Sequence, residues 1–463
     1  MCRCIYNFYL IRIKIGIIRM KKFKLRRGYD IKLPGETVRT IEPFTLPNRI
    51  AFKPTDFIGM KPRLLIEPGD KVKIGTPLAC DKNNEKIKIV SHVNGEVTEI
   101  VRGDRRVIQM IVINVDTDQH EKEPEFAIND LNKNSIIDTL LESGLFFNFV
   151  QRPFNKMANP ADTPRDIFIS AMDTAPLAAE SSLILQGNES SFQKGLDVLS
   201  HLTSGKVRLS FKPEETAFSE FKNCELYNFS GPHPTGNVGV HIHHIAPIRN
   251  AHDIVWTCSV QSVIHIGRLY ETGILNQEIL VKVAGSAVDR RYYHRTVVGA
   301  QVSHLVKDLN ENSRIISGNV LTGKQIESDG FVGYHDNLVT VIPETTEPEF
   351  LGWLNPGFAK PSWWKTFASA LLFPNKVRTV DTNMAGGHRA LVINDIYEEV
   401  VPMSILPSHL IKSILVEDIE EMEALGIYEI AEEDLALCEY ICPSKTEFQQ
   451  IIRQGLDLIE KEG

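Results

Sequence analysis

The chain has 463 residues, 43% of them apolar, and a formal net charge of −8 at neutral pH. That length accommodates roughly three domains, each able to bury a core. Seven cysteines, odd in number and unpatterned, argue against a secreted disulfide framework and for a reducing cytoplasm. Basic residues neither dominate nor cluster with aromatics, which argues against nucleic-acid binding. The charge is unevenly placed. Residues 1–40 carry eleven Lys/Arg against Asp30 and Glu36, whereas residues 417–463 carry fourteen Asp/Glu against Lys445, Arg453 and Lys461. A basic end suits an anionic surface or an acidic partner, or is simply a solvated face.

Residues 1–19, MCRCIYNFYLIRIKIGIIR, are apolar but interrupted by Arg12 and Lys14, and no small-residue cleavage site follows. A spanning helix needs about 20 nearly uncharged residues, so no membrane span is expected. Met20 then opens MKKFKLRRGYDIKL, and residues 1–19 are read as an upstream mis-start with no folding role.

Residues 20–125 are expected to form the first domain. From Ile31 to Val115 short alternating runs are punctuated by glycines, with LLIEPGDKVKIGTP from Leu64 and IKIVSHVNGEVTEI from Ile87. Gly69, Gly75 and Gly95 are placed at turns needing positive φ. The pattern resembles the lipoyl-type barrel-sandwich. Its hairpin tip, Asn94-Gly95, carries no lysine, so a swinging-arm carrier is not expected and the domain is read as structural.

Residues 126–265 read as a Rossmann-like α/β unit. A buried strand at Asp166–Ala171 precedes helical patterns through Leu183 and Leu185 and from Phe192 to Leu202, then a strand at Lys206–Phe211. No G-x-G-x-x-G follows the first strand. The turn there, Ala171 to Pro176, lacks glycine, so it offers no bare amides to a pyrophosphate, and neither NAD nor flavin is expected. Downstream, GPHPTGNVGVHIHHI holds His233, His241, His243 and His244. Read as an extended segment, it sends His241 and His243 to one face and His244 to the other. Two converging imidazoles fall short of the three or four ligands that zinc takes, so these histidines are read as structural or substrate-lining.

Residues 266–348 are expected to form a β-grasp domain, with strands at Ile279–Val288 and Tyr293–Gly299, a short helix at Gln301–Leu309 and RIISGNVLTG closing at Gly323. They resemble the soluble-ligand-binding β-grasp module, a docking element more often than a catalyst. Residues 349–463 begin with an aromatic stretch, Phe350 to Phe373, holding Trp353, Trp363, Trp364, Phe358 and Phe367. Burial in the local core is balanced there against a protein or membrane interface. A helical end follows, in which Ser444 and Glu447 are placed as a capping box for a final helix striped by Phe448, Ile451, Ile452, Leu456 and Ile459.

That helical end contains EEDLALCEYICPSK, Glu432 to Lys445. A bacterial-type iron–sulfur motif needs four thiolates, the last before a proline. Here Cys438 and Cys442 remain, the second before Pro443, while Cys2, Cys4, Cys80, Cys224 and Cys258 are single. At i,i+4 spacing the two thiols share a helix face and are read as buried packing groups. No nucleophile, base and orienter assemble in the sequence. No catalytic, cofactor-binding or metal-ligating residue is therefore assigned.

The α/β multidomain order — barrel-sandwich, Rossmann-like unit, β-grasp domain, helical end — resembles the NADH/flavin-binding subunit of respiratory complex I and the C subunit of the Rnf complex. The motifs RRGYDIKLPG (Arg26–Gly35), KPRLLIEPGDKVKIGTPL (Lys61–Leu78), HPTGNVGVHIHHI (His233–Ile245), RIISGNVLTG (Arg314–Gly323) and EEDLALCEYICPSK more closely resemble the A subunit of the sodium-translocating NADH:quinone oxidoreductase. In the first two relatives an acidic motif follows the first strand; here Asp173-Thr174-Ala175-Pro176 keeps one acid. The resemblance implies a peripheral subunit on the cytoplasmic face of a bacterial inner-membrane complex of six subunits, adjoining the membrane-embedded B subunit. It further implies no flavin or cluster of its own, and quinone as a ligand. A purely structural adaptor, or a free-standing flavin-dependent NADH dehydrogenase, are the alternatives. The missing glycine loop and cluster cysteines weigh against the dehydrogenase.

Overall fold

A computed structural model describes residues 20–463 apart from 117–124, 127, 129–130, 346–353, 359, 361–362, 375, 385 and 394. The extension expected over residues 1–19, and Phe350 and Trp353 of the aromatic stretch, lie outside the described residues. The expected α/β multidomain architecture is present. Two of its parts, however, recruit strands from the N-terminal stretch assigned wholly to the barrel-sandwich.

The barrel-sandwich itself packs a four-stranded sheet (Arg49–Phe52, Ile108–Val115, Gly95–Arg102, Lys71–Val72) against a three-stranded one (Pro62–Leu64, Pro77–Asp81, Lys88–Val90). Gly69 and Gly75 take the left-handed backbone expected, at φ 95° and 86°. Gly95 does not; it opens a strand, and a Cβ there would stand 2.1 Å from the Asn114 carbonyl oxygen. Close strand approach, not turn geometry, demands that glycine. Nor is Asn94-Gly95 a hairpin tip. Lys88–Val90 and Gly95–Arg102 belong to different sheets, and the crossing is tied down where the Ile74 amide donates to Asn94 Oδ1 at 3.0 Å. Ile89, Val90 and Val93 continue into the core of the next domain beside Leu145, Phe146 and Trp256, so the two domains share one hydrophobic interior.

That next domain is a seven-stranded sheet. Its parallel part runs Lys21–Lys24, Glu225–Ser230, Val207–Phe211, Ile167–Ser170, Val255–Ser259, followed by antiparallel Val150–Arg152 and Lys156–Met157. The edge strand Lys21–Lys24 therefore comes from the expected first domain, with Phe23 paired to Phe229 and their rings stacked 4.6 Å apart. From Ile167–Ser170 the chain winds outward in one direction, then returns to lay Val255–Ser259 on the other side. That reversal makes the carboxyl ends of these two strands a topological switch point, the usual ligand crevice of such sheets. The helices Glu189–Ser200 and Val260–Thr272 cross in near backbone contact: a Cβ on Gly195 would lie 2.2 Å from the Val263 carbonyl oxygen, and one on Gly267 1.7 Å from that of Ser191.

The β-grasp sheet orders Lys324–Ile326, Ser313–Ser317, Leu338–Pro343, Glu278–Ala284, Tyr293–Val297 and Ile41–Glu42, the last again supplied by the N-terminal stretch. In the C-terminal part the helices Pro407–Leu415, Ile419–Ala424, Ala436–Ile441 and Phe448–Glu462 enclose a second core. The expected capping box is absent. The helix starts at Phe448 without a side-chain cap, and Ser444 Oγ donates instead to the Ala390 carbonyl at 3.0 Å. The turn at Lys445, with φ 55°, separates Ser444 from the first helical amides. Burial also fails for much of the aromatic stretch: Phe358, Trp364, Leu371, Leu372 and Phe373 are exposed.

Candidate functional site

Around the switch point lies a cleft of about 330 Å³. Ser170 and Met172 come from the end of Ile167–Ser170, and Thr257 to Ser259 from the end of Val255–Ser259. Asn237 and Val238 start one helix, Val238–Ile245, and Val260 and Gln261 start another, Val260–Thr272. Asn319, Thr322, His335 and Asn337 of the β-grasp domain form the opposite wall, and Glu433 of the helical end closes the floor. Three domains thus build one cleft, as ligand sites commonly sit between domains.

Arg152 is the buried cation of this floor, 2% exposed. Its Nη2 lies 2.9 Å from Glu433 Oε1, and its Nη1 3.4 Å from Asp434 Oδ2. Asp434 is buried, and its Oδ2 also accepts from the Ala431 amide at 2.9 Å. Burial raises the pKa of both acids while Arg152 pulls it down. The Arg152 Nε and Asp434 Oδ1 have no hydrogen-bond partner among the described residues. Orphaned polar atoms of this kind are costly unless water or another group reaches them.

Asp173, the one acid of the Ala171–Pro176 turn, faces both this cleft and a second of about 400 Å³, lined also by Asp30, Glu36, Lys212 and Glu214. Its side chain is exposed, yet desolvation by the surrounding protein raises its pKa; a hydrogen bond from the Ala175 amide and the charges of Lys212 and Lys282 oppose that shift. The turn is locked rather than open. Ser170 Oγ donates to the Met172 and Gly236 carbonyls at 2.8 and 2.9 Å, and Thr174 Oγ1 accepts from the Gly236 amide at 2.9 Å. A Cβ on Gly236 would stand 2.7 Å from the Thr174 nitrogen, so the turn has no open cradle for a phosphate.

The histidine-rich segment is a helix, Val238–Ile245, not the extended run expected. Val240, His241 and Ile242 are all buried, because the helix is sandwiched between the sheet and the C-terminal domain. A helix apolar on every side lacks the 3.6-residue signature. Its histidines serve separately. His241 Nε2 meets the Thr235 carbonyl at 2.9 Å, and burial pushes its pKa down to about 3. His243 Nε2 accepts the Ser404 amide at 3.1 Å, which leaves its Nδ1–H to donate to Glu429 at 2.6 Å. His244 Nε2 donates to the Pro402 carbonyl at 2.8 Å. His233 alone lines the cleft, with Nδ1 3.2 Å from Thr174 Oγ1 and a pKa lowered by burial to about 4.

Cys438 and Cys442 are both buried in the helical core, and the Tyr397 hydroxyl lies 3.1 Å from Cys442 Sγ. Desolvation pushes the Cys438 thiol well above its ordinary value, the opposite of a metal-ready thiolate. Among the described residues, no group of three or more His, Cys, Asp or Glu is placed to hold a metal. This pair does not fit a four-thiolate cluster.

The family models agree with this architecture. The NqrA N-terminal barrel-sandwich hybrid domain matches residues 23–116, the NqrA second alpha/beta domain 131–275 and the NQRA C-terminal domain 280–328. The A subunit of the Na(+)-translocating NADH-quinone reductase from Yersinia pestis bv. Antiqua is 38% identical over 95% of this chain and 100% of that protein. The proteins of the same name from Cellvibrio japonicus, at 38%, and Haemophilus influenzae, at 37%, also cover 95% of this chain. Among solved structures, an air-oxidized NAD+-reducing [NiFe]-hydrogenase chain aligns over 71% of this chain and 61% of its own length at 12% identity and a TM-score of 0.37, too distant to carry structural meaning. With that identity to the reductase proteins sustained along nearly its whole length, the chain belongs to the family of the A subunit of the Na(+)-translocating NADH-quinone reductase.

Proposed function

We propose that the chain is a peripheral subunit of a sodium-translocating NADH:quinone reductase on the cytoplasmic face of a bacterial inner membrane. It takes part in quinone binding and reduction coupled to sodium export, while hydride transfer and the redox cofactors reside on other subunits. The observation that carries this reading is the full-length match, in both directions, to proteins named as the A subunit of that enzyme. The locked turn after Ile167–Ser170 and the incomplete thiolate set support a chain without a flavin or cluster of its own.

Attachment to the membrane-embedded B subunit is assigned to the aromatic stretch. No helix among the described residues is long and apolar enough to cross a membrane. Phe358, Trp364, Leu371, Leu372 and Phe373 are each exposed, and Lys360, Lys365, Lys376 and Arg378 punctuate the same stretch. Aromatic anchors of this kind are enriched at protein interfaces. The purified chain is expected to be colourless, with neither a flavin band nor cluster absorption. A stoichiometric flavin surviving gel filtration contradicts the cofactor-free assignment.

A further inference from the structure

The strip from Lys21 to Arg27 carries five cations in seven residues, Lys21, Lys22, Lys24, Arg26 and Arg27, all of them exposed. Lys21–Lys24 is the outer strand of the seven-stranded sheet, and its free edge has no neighbouring strand among the described residues. None of the five forms an ion pair among those residues; Lys21 has an aromatic contact, its Nζ 6.0 Å from the centre of the Tyr227 ring. Acids close to the strip are engaged elsewhere. Glu225 pairs with Arg208 at 2.9 Å, and Asp30 accepts the His233 amide at 2.9 Å. Glu399 is exposed alongside, its carbonyl accepting the Gly28 amide at 2.9 Å, and offsets one charge of the five. Lysines also guard a sheet edge against pairing with another strand. That explains the three in the strand but not Arg26 and Arg27, which lie past its end.

The neighbourhood of the strip indicates what it meets. Tyr29, two residues beyond Arg27, packs edge-on against Trp363 with ring centres 4.7 Å apart, and Leu25 and Ile31 pack on the same helical core. Trp364, next in the chain, is exposed. The strip thus adjoins the aromatic stretch assigned above to the membrane-embedded B subunit, and a surface docked on an embedded protein is turned toward the bilayer. None of the five cations lines either cleft described above. Long, flexible cations outside any cleft suit the diffuse charge of a headgroup layer better than the fixed pattern of a protein surface. Residues 1–19 carry Arg3, Arg12, Lys14 and Arg19 and no acid, so their charge does not complement the strip. We propose that Lys21 to Arg27 lies on the anionic headgroups of the bilayer beside the B subunit, so that the chain touches lipid as well as protein. The inference takes its orientation from the attachment proposed above and adds a second, lipid partner. Each Lys or Arg beside an anionic leaflet strengthens binding roughly fivefold.

The full-length chain and a Lys22→Gln, Lys24→Gln, Arg26→Gln variant are floated with vesicles of phosphatidylcholine alone or with about one-third phosphatidylglycerol, at low and at high salt. The three side chains are exposed and unpaired, so circular dichroism is expected to be unchanged. The unaltered chain is expected to bind the anionic vesicles and not the neutral ones. The variant is expected to bind them more weakly by about tenfold or more, and high salt to release both proteins. Equal binding by the two proteins, equal binding to neutral vesicles, or no binding at all overturns the lipid strip. Attachment to the B subunit is read separately, by copurification of the unaltered chain with it, and stands or falls on that result. Absence of vesicle binding together with loss of the variant from the assembled complex assigns the strip to an acidic protein surface instead.

Discussion

Arg152→Ala is expected to lower the unfolding free energy by about 3–5 kcal/mol, the cost of stripping the partner from a buried charge. The acid left behind is Asp434, whose side chain is wholly buried and whose remaining amide bond from Ala431 does not neutralise it. Because Arg152 ends a strand of the α/β sheet while Glu433 and Asp434 belong to the helical end, the loss falls on the seam between domains. Urea denaturation of the full chain measures it. Adding Asp434→Asn to Arg152→Ala removes both charges together and is expected to recover part of the loss, a coupling that a double-mutant cycle reads directly. A loss below about 1 kcal/mol in Arg152→Ala shows that the pair is solvated and contradicts its assignment as a buried anchor.

His241→Gln is expected to change how stability depends on pH. In the folded chain His241 is buried and its pKa is pushed down to about 3, whereas the ordinary value is 6.5. Below that ordinary value the unfolded chain takes up a proton that the folded chain refuses, so the folded state loses stability as pH falls. Glutamine can keep the bond to the Thr235 carbonyl but does not titrate. Between about pH 7 and pH 5 the unaltered chain is therefore expected to lose about 2 kcal/mol relative to the variant, at 1.36 kcal/mol per pH unit below the unfolded pKa. His92, His233 and His265 are lowered by burial as well, and Glu215 is raised to about 7, but these groups are common to both proteins and cancel in the comparison. Parallel stability curves contradict a neutral, buried His241.

The elements read most directly from sequence are those whose determinants are local. Gly69 and Gly75 mark turns because only a residue without Cβ sits easily at positive φ, and the apolar runs at 167–170 and 207–211 stand out as buried strands. Non-local pairings leave no such mark. Lys21–Lys24 and Ile41–Glu42 pair with distant strands at Tyr227 to Ser230 and Tyr293 to His294, and nothing in KKFK announces such a partner. The histidine helix reads wrongly as an extended run because burial on both sides removes the amphipathic period. The cleft as a whole escapes sequence reading, since its lining runs from Asn148 to Glu433 with no contiguous motif, although the Ala171–Pro176 turn and His233 singled out in the sequence both contribute to it. One signal is available: Arg152 follows the apolar run LFFNFV, and a cation at the end of so hydrophobic a strand requires a carboxylate from elsewhere, which the EED run at Glu432 to Asp434 supplies.

We propose that this chain acts at the quinone end of the enzyme, not the NADH end. The most direct test is the assembled membrane complex prepared with and without the chain, assayed in parallel for NADH oxidation with a soluble artificial acceptor and for quinone reduction. The expected result is that the complex lacking this chain keeps NADH oxidation and loses quinone reduction, with recovery when the purified chain is added back. Loss of NADH oxidation with the soluble acceptor, or quinone reduction at full rate without the chain, contradicts that placement.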